Sequence, residues 1–257
     1  MKNKPLYALT SVDHALQLAV LLQVEGPLSV SDVAARLGVA RSTAHRLLAM
    51  LVYRDFARQG EDRRYHAGPV LSLSARSRPH TALLRAVAMP HLHVLVDRLQ
   101  ESANVLVLAG DYARFVASVE CAQALRVGTR EGMVFPAHLT SGGKLLLADL
   151  GAEERAALYA AERWEGREDQ RPDLAALERE LAVVAERGFA INKDRSETGV
   201  TAVGRAIRVG DRAEGAVSVS MPTVRFREDR LVDIVSALAL ATRDIEHDLH
   251  EALRVES

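Results

Sequence analysis

Ser29-Val30-Ser31-Asp32-Val33-Ala34-Ala35-Arg36-Leu37-Gly38-Val39-Ala40-Arg41-Ser42-Thr43-Ala44-His45-Arg46-Leu47-Leu48 is the stretch that decides the fold. Ser29 through Asp32 offers a capping box with aspartate in place of glutamate, and Val30, Val33, Ala34 and Leu37 make one short apolar stripe that stops at Gly38. After Gly38-Val39-Ala40 another helix is expected from about Arg41 to Leu51. Ala44, Leu47, Leu48 and Leu51 share one of its faces, and Ser42, His45, Arg46 and Ala49 share the opposite one. A helix of barely three turns, a glycine-containing turn and a second helix with small, hydrogen-bonding residues outside form a helix-turn-helix pattern. The second helix of such a pair fits the major groove of a nucleic acid duplex.

On the N-terminal side, Thr10-Ser11-Val12-Asp13 can cap a preceding helix, with Val12, Ala15, Leu16, Ala19 and Val20 at helical spacing until Glu25-Gly26-Pro27 stops it. On the C-terminal side, Phe56-Ala57-Arg58 and Arg64-Tyr65-His66 are expected to pair as strands about Gln59-Gly60-Glu61-Asp62, adding a basic hairpin, or wing. Residues 71–90 then read as a linker that turns helical, with prolines at 79 and 90. Leu83, Leu84, Val87, Leu92, Leu95, Val96 and Leu99 keep an apolar face on both sides of Pro90, which is expected to end or kink the helix.

Beyond the linker the pattern alternates. Strands are expected at Asn104–Ala109 and Arg114–Glu120 around Gly110-Asp111, helices at Gly143–Leu150, Glu153–Ala161 and Asp173–Arg187, and a C-cap at Gly188. Strands Phe189–Asn192, Val200–Arg208 and Gly215–Ser220 follow, and a helix from about Asp229 to Arg254 closes the chain. The expected organisation is therefore a DNA-binding domain over 1–70, a linker helix over 71–90 and a ligand-binding sheet domain over 91–257.

Composition agrees with an ordinary globular protein. The 257 residues are 48% hydrophobic and 26% charged, and 33 Lys and Arg nearly balance 34 Asp and Glu, which excludes a disordered tail protein, a collagen and a histone-like basic protein. The net charge of −1 conceals an asymmetry: residues 1–80 hold eleven Lys and Arg against six Asp and Glu, a net of +5, so the rest carries −6. A basic first third fits contact with a polyanion. With Cys121 as the lone cysteine, an internal disulfide or a cysteine-cluster zinc site is excluded and a reducing compartment is favoured. Met1 to Pro5 reads as polar with no signal peptide, and no apolar run nears the ~20 residues of a membrane span, so a cytoplasmic address and no membrane partner are expected.

Residues 7–68 resemble the DNA-binding domain of the IclR-type bacterial transcriptional regulators. Leu28-Ser29-Val30, Ala40-Arg41-Ser42-Thr43-Ala44-His45-Arg46-Leu47-Leu48 and Tyr65-His66-Ala67-Gly68 carry the likeness. The remainder resembles the same family in order and spacing, through Pro136-Ala137-His138, Ser141-Gly142-Gly143-Lys144, Arg187-Gly188-Phe189-Ala190, Glu197-Thr198-Gly199-Val200 and Ser218-Val219-Ser220-Met221-Pro222. The resemblance implies an α+β chain: an N-terminal winged helix-turn-helix, a linker helix used in dimerisation, and a C-terminal α/β (GAF-like) domain that binds a small metabolite. The chain departs from the family pattern in two places. Many members have a cysteine and a proline in the strand that holds Ala202, Gly204 and Ala206 here, and an acidic pair in place of Asp194-Arg195.

The chemistry divides accordingly. Arg41 suits a phosphate, as do the free N–H groups where its helix begins. Ser42, Thr43, His45 and Arg46 are groove-facing candidates, with Ser29 at the start of the preceding helix. Arg46 fits either the edge of a guanine or a phosphate, and a neutral His45 has one hydrogen bond to donate or accept. Arg63 and Arg64 at the wing tip suit backbone or minor-groove contact, the alternative being a solvated turn paired with Glu61 and Asp62. Duplex operator DNA is thus the expected partner, bound by a homodimer, or a dimer of dimers, with the linker helix as its seam. In the second domain, Thr140, Ser141 and Gly142 open a helix where a carboxylate is stabilised. Ser218 and Ser220 share one strand face opposite Val217, Val219 and Met221, and Ala202 lies on a face with room for a ligand. Arg205 lies opposite and reads as surface. A small organic acid is the expected effector.

Two rivals remain. Ser141-Gly142-Gly143-Lys144 has the S-x-x-K spacing of serine hydrolases in which a lysine activates the nucleophile, but no K-T-G follows and Ser102-Ala103-Asn104 lies upstream. A winged helix serving only as a protein-interaction module is the other. The same lysine fails a phosphate-loop pattern and no G-x-G-x-x-G occurs, so no cofactor is expected. His91 and His93 fall on different helix faces, which disfavours a metal, and Cys121 reads as a small buried hydrophobe.

Overall fold

The structure, a computed structural model, describes residues 9–60, 62–68, 70–71, 77–164 and 168–255. The expected roles of Met1 to Pro5, of Glu61 and of the linker stretch 72–76 lie outside the described residues. Contacts divide the chain into Met1–Leu73 and Ser74–Ser257.

In the first unit, α1 (Thr10–Val24), α2 (Val30–Leu37) and α3 (Arg41–Tyr53) precede a hairpin of β1 (Ala57–Gln59) and β2 (Tyr65–Ala67). The capping box at α2 forms as read: the Asp32 N–H donates to Ser29 Oγ (3.2 Å), and the Ser29 N–H donates to Asp32 Oδ2 (2.9 Å). Gly38 ends α2 at φ 64°, a left-handed position that glycine takes without strain. Ala44, Leu47, Leu48 and Leu51 of α3 are buried with Leu18, Leu22, Val33 and Tyr65 in one core. Two details differ from the expectation. The hairpin pairs Ala57 with Ala67 and Gln59 with Tyr65, one residue displaced, because Leu28 bridges Tyr65 as a third short strand and fixes its register. Helix α1 begins at Thr10 with no side-chain cap, and it buries Leu18, Ala19 and Leu22 while Val12, Leu16 and Val20 stand exposed. Both sides of α1 are apolar, so of the expected stripe only Ala15 and Ala19 meet the core.

The second unit starts with α4 (Ser77–Leu99), which continues through Pro90 without ending there. The linker helix is thus one element with the sheet domain: Leu84, Ala88, Leu92, Leu95 and Val96 are buried in that domain's core. Strands β3 (Ser102–Ala109), β4 (Tyr112–Val119), β5 (Val134–Pro136), β6 (Ala190–Lys193), β7 (Val200–Val209) and β8 (Arg212–Pro222) form an antiparallel sheet in the order β5-β4-β3-β8-β7-β6. The short edge strand β5 had no signal of its own in the sequence. Helices α5 (Ser141–Asp149), α6 (Ala152–Leu158), α7 (Leu174–Arg187) and α8 (Leu231–Val255) complete the domain. Apolar alternation explains the layers. Val217, Val219 and Met221 of β8 face α4 and α8, while Leu106, Ala216 and Ala190 face α5 and α7. The expected helix 153–161 stops at Leu158 and is followed by a 3₁₀ turn at Ala161–Trp164. Arg205, expected on the surface, is half-buried on the strand face of Val203 and Ile207, the face covered by α8.

Candidate functional site

The face of α3 opposite its core presents Arg41, Ser42, Thr43, His45, Arg46 and Ala49, all exposed. Its N-cap is Ala40, which supplies no side-chain oxygen, so the first N–H groups of the helix face outward without a side-chain acceptor. Ser29 sits on another element and its hydroxyl already accepts the α2 cap bond, leaving its hydroxyl hydrogen and one lone pair for an outside partner. The wing arginines separate. Arg63 lies in the turn at φ 58°, and its carbonyl accepts from Gln59 Nε2 (3.4 Å). Arg64 turns back onto the domain, where Nη1 donates to the Pro27 carbonyl (3.1 Å) and Nη2 lies 3.7 Å from Asp32. Among the described residues, Arg41, Arg46 and Arg63 have no ion-pair partner. Arg41 and Arg46 lie in the N-terminal half of α3, the end of positive dipole, and Arg63 lies at the wing tip.

In the second unit, five of the six residues expected at an effector site surround one small cavity between the sheet and α5: Thr140, Ser141, Ala202, Ser218 and Ser220. Strand register explains the meeting. Ser220 pairs with Ser102 and Ala202, and Ala202 pairs with Asn192, so these side chains share one face; Asn104, between Ser118 and Ser218, forms the next row. Gly142 stays out of the cavity. A Cβ there would meet Leu106 Cδ1 at 2.5 Å, so this glycine lets α5 approach the sheet. Thr140 caps α5, its Oγ1 accepting from the Gly143 N–H (2.9 Å), so the expected set of open N–H groups shrinks to those of Ser141 and Gly142.

The sequence reading missed several residues that shape this cavity. The Arg130 N–H donates to Ser118 Oγ (3.3 Å), Ser118 donates to Asn104 Oδ1 (2.8 Å), and Asn104 Nδ2 donates to Ser220 Oγ (3.2 Å). Each group in this chain uses its acceptor on the previous one, so the Ser220 hydroxyl hydrogen remains for Ser218, 3.5 Å away, or for a guest. Arg130 is buried, its guanidinium 5.3 Å from the centre of the Phe135 ring and bonded to Glu197. Phe115 meets Phe135 edge to face at 5.7 Å. Asn192, 1% exposed, donates to Ser196 Oγ (2.9 Å), and among the described residues its Oδ1 has no hydrogen-bond partner. The signals available were polar residues at inward positions of apolar strands, Asn104 and Asn192. Arg130 lies in an irregular segment where no period exists. The cavity measures about 10 Å³, the threshold for a single water.

A larger hollow of about 490 Å³ lies beyond His138, between α7 and residues 169–173. His138 is buried, and among the described residues its Nδ1 has no partner; burial, with Arg195 and Lys144 nearby, holds its pKa below the ordinary histidine value. The Tyr159 hydroxyl is buried, likewise with no partner among the described residues, and burial pushes its pKa up. Lys144, 1% exposed, donates to Glu180 of α7 (2.5 Å). Among the described residues no hydrogen bond joins Lys144 to Ser141, so the S-x-x-K spacing does not make a nucleophile and base. His91 bonds Asp248 (2.8 Å) while His93 is exposed, and Cys121 is buried beside Ser102. Among the described residues no cluster of metal-ligating side chains occurs.

Residues 11–61 match the IclR helix-turn-helix domain, and residues 79–247 match the C-terminal domain of the bacterial transcriptional regulator IclR. The chain belongs to the IclR family of transcriptional regulators. It is similar to the HTH-type transcriptional regulator BhcR of Paracoccus denitrificans, 29% identical over 239 residues that span 91% of this chain and 85% of that one. The HTH-type transcriptional repressor AllR of Escherichia coli K12 is 29% identical over 238 residues, 89% of this chain and 86% of that one. The crystal structure of an IclR homolog from Microbacterium hydrocarbonoxydans complexed with 4-hydroxybenzoate shares the fold, with a TM-score of 0.61 and 24% identity over 94% of this chain and 99% of that one. IclR membership makes the protein a DNA-binding regulator of transcription, and it gives the hydrolase reading no support.

Proposed function

We propose that this IclR-family chain binds operator DNA as a homodimer through α3 and the wing, and that a small carboxylate-bearing metabolite in the sheet cavity modulates that binding. The observation that carries the DNA reading is the division of α3, whose Ala44, Leu47, Leu48 and Leu51 are buried while Arg41, Ser42, Thr43, His45 and Arg46 in its first turns are exposed and able to hydrogen-bond or carry charge. Arg41, the first N–H groups of α3 and Arg63 supply phosphate contacts; Ser42, Thr43, His45 and Arg46 supply base contacts; Ser29 and Arg64 support the positions of α2 and the wing. Two exposed arginines on that helix face and a third in the wing turn, none with an ion-pair partner among the described residues, favour a polyanion over an apolar protein surface.

The effector reading rests on the convergence of Thr140, Ser141, Ala202, Ser218 and Ser220 on one cavity with hydroxyl donors, a helix N-terminus and a guanidinium, a set that suits an anion. The Microbacterium homolog's 4-hydroxybenzoate makes aromatic acids a reasonable first choice of probe. A cavity the size of one water must widen to admit such a molecule, so binding and a change in the lining go together. For the dimer, the apolar face of α4 is already covered within its own domain, whereas Leu9, Val12, Leu16 and Val20 of α1 and its cap are 69, 49, 62 and 56% exposed at i, i+3, i+7 and i+11, an uncovered stripe suited to a second copy. A DNA-binding role supports a cytoplasmic address, and among the described residues no helix is long and apolar enough to cross a membrane.

The test is a mobility-shift titration of the purified protein on the intergenic DNA upstream of its own gene against random competitor, at moderate ionic strength, with and without aromatic and short-chain acids. Preferential retention, altered by one acid, is the expected result. No preference in any condition overturns the DNA reading. Turnover of an ester, abolished by Ser141→Ala, restores the hydrolase.

A further inference from the structure

We propose that Arg130 is the carboxylate anchor of the sheet cavity, and that Glu197, now bound to it, is an internal stand-in that an incoming hydroxy acid displaces. This rests on the effector reading and names its ligand class and the residues that gate it. Arg130 is 7% exposed and is the sole Lys or Arg lining the cavity among the described residues. A guanidinium so placed requires an anion, since a charge removed from water without a partner costs several kcal/mol. Glu197 fills that need from outside: its side chain is 45% exposed and it does not line the cavity.

The carrier of Glu197 matters. It sits in the turn between β6 and β7, whose base is tied by Asp194: the Gly199 N–H (2.7 Å) and the Thr223 hydroxyl (2.8 Å) both donate to Asp194 Oδ1. The tip of the same turn holds Ser196, the partner of Asn192 Nδ2. Residues 196 and 197 therefore occupy the two polar anchors of the cavity together, and the Asn192 carbonyl oxygen beside them is buried with no donor among the described residues. A ligand with a carboxylate for Arg130 and a hydroxyl hydrogen for Asn192 Oδ1 satisfies both groups at once. Exchange of one carboxylate for another leaves the charge on Arg130 balanced throughout, which a neutral ligand cannot do. The ring of Phe135 beneath the guanidinium and Phe115 beside it give an apolar wall for the body of the acid. Taking Arg130 removes the Glu197 carboxylate tie and leaves the 195–198 tip held by hydrogen bonds alone, so ligand occupancy is read out as loosening of that turn.

Competition sets the magnitude: if Glu197 holds Arg130 about nine-tenths of the time, apparent affinity is reduced roughly tenfold. The experiment is calorimetric titration of the full chain with 4-hydroxybenzoate and glycolate, and with their neutral amides, on the wild type and on Glu197→Gln, Arg130→Gln, Arg130→Lys and Glu131→Gln. Glu131 is the control: it neighbours Arg130 in sequence but its carboxylate binds Arg85 (3.0 Å). Glu197→Gln is expected to bind at least one acid about tenfold more tightly than wild type, Glu131→Gln within about twofold of it, and Arg130→Gln at least tenfold more weakly. Arg130→Lys, which keeps the charge and guards against a misfolded glutamine variant, should retain part of the affinity and the preference for acid over amide. Equal affinity of wild type and Glu197→Gln, or undiminished binding by both Arg130 variants, overturns the exchange while leaving an acid-binding cavity. No acid binding by either wild type or Glu197→Gln overturns the exchange and the acidic effector together. Loss of operator retention with these affinities intact strikes the regulator reading alone.

Discussion

Replacing Arg63 with alanine tests the wing more sharply than replacing both wing arginines, because the fold assigns them different work. Arg63 is an unpaired cation at the turn, whereas Arg64 commits its guanidinium to the Pro27 carbonyl and to Asp32. Each phosphate on duplex DNA that a protein ceases to neutralise lowers the slope of log K against log salt by about 0.9. A homodimer with two wings then loses about 1.8 in slope, and over a fourfold rise in salt, from about 50 to about 200 mM, its affinity should fall about twelvefold less than that of wild type. Arg64→Ala instead removes an exposed charge-assisted hydrogen bond, a loss of about 0.5–1.5 kcal/mol of stability in the first domain, with a far smaller change in slope. Filter binding or fluorescence anisotropy across that salt range gives the slopes, and thermal denaturation gives the stability. An Arg63→Ala slope equal to that of wild type removes the wing tip from the interface. An equal fall in slope for Arg64→Ala means that this side chain leaves Pro27 when DNA arrives, and the division of labour argued from the fold is wrong.

Leu16→Glu, in the middle of the exposed α1 stripe, should convert the proposed dimer to monomer in sedimentation velocity without unfolding it, since Leu16 is already 62% exposed; a persistent dimer moves the seam elsewhere, and a monomeric wild type overturns the dimer. Arg225→Ala strands Glu101, 3% exposed and bound by that guanidinium at 2.7 and 2.5 Å, and should cost about 3 kcal/mol in urea denaturation, the low end for a broken buried pair because Arg225 is itself part-exposed. The double variant with Glu101→Gln should recover part of that loss. Asp55, half-buried at φ 60°, has its carboxyl raised by burial, so the folded state holds the proton more tightly than the unfolded one and the ionised form is a destabilising element at neutral pH. Asp55→Asn, which tolerates the same left-handed backbone, should therefore melt higher than wild type at about pH 7, and the difference should close as pH falls through the carboxylate range; a constant offset across pH would show that the charge is not the cause.

The helix-turn-helix was legible because two physical signals coincide there. The apolar face of α3 is flanked by residues too polar to bury, and the α2 cap is written in Ser29 and Asp32. Strand β8 was legible for the same reason, since Ser218 and Ser220 alternate with Val217, Val219 and Met221. Helix α1 shows the limit of that logic. With Val12, Leu16 and Val20 on one side and Leu18 and Leu22 on the other, a period of 3.6 cannot say which face meets the domain and which meets a partner. Pro90 shows another, for a proline inside a pattern usually marks a boundary, yet α4 runs past it with Leu84, Ala88, Leu92 and Leu95 all buried on one side. The cavity was half legible. Its serines and threonine lie on regular elements, but Arg130 and Asn192 reach it from segments far apart in the chain, and only the strand order brings them together.

Two buried cations near α5 show why one belongs to a binding site and the other does not. Lys144 and Arg130 have similar burial and each is held by a glutamate, so charge and exposure do not separate them. The scaffold of the partner does. Glu180 projects from α7, a helix whose Leu177, Leu181 and Val184 are packed into the core, so parting it from Lys144 means displacing a packed helix or leaving an ammonium without its anion. Glu197 projects from a turn held, among the described residues, by hydrogen bonds: at its base through Asp194 and the Gly199 carbonyl, at the Glu197 carbonyl, and at Ser196. A ligand carboxylate can therefore take the place of Glu197 by displacing a turn rather than a packed helix. The lysine is a strut that fixes α5 to α7, and the arginine is the cation that remains open to exchange.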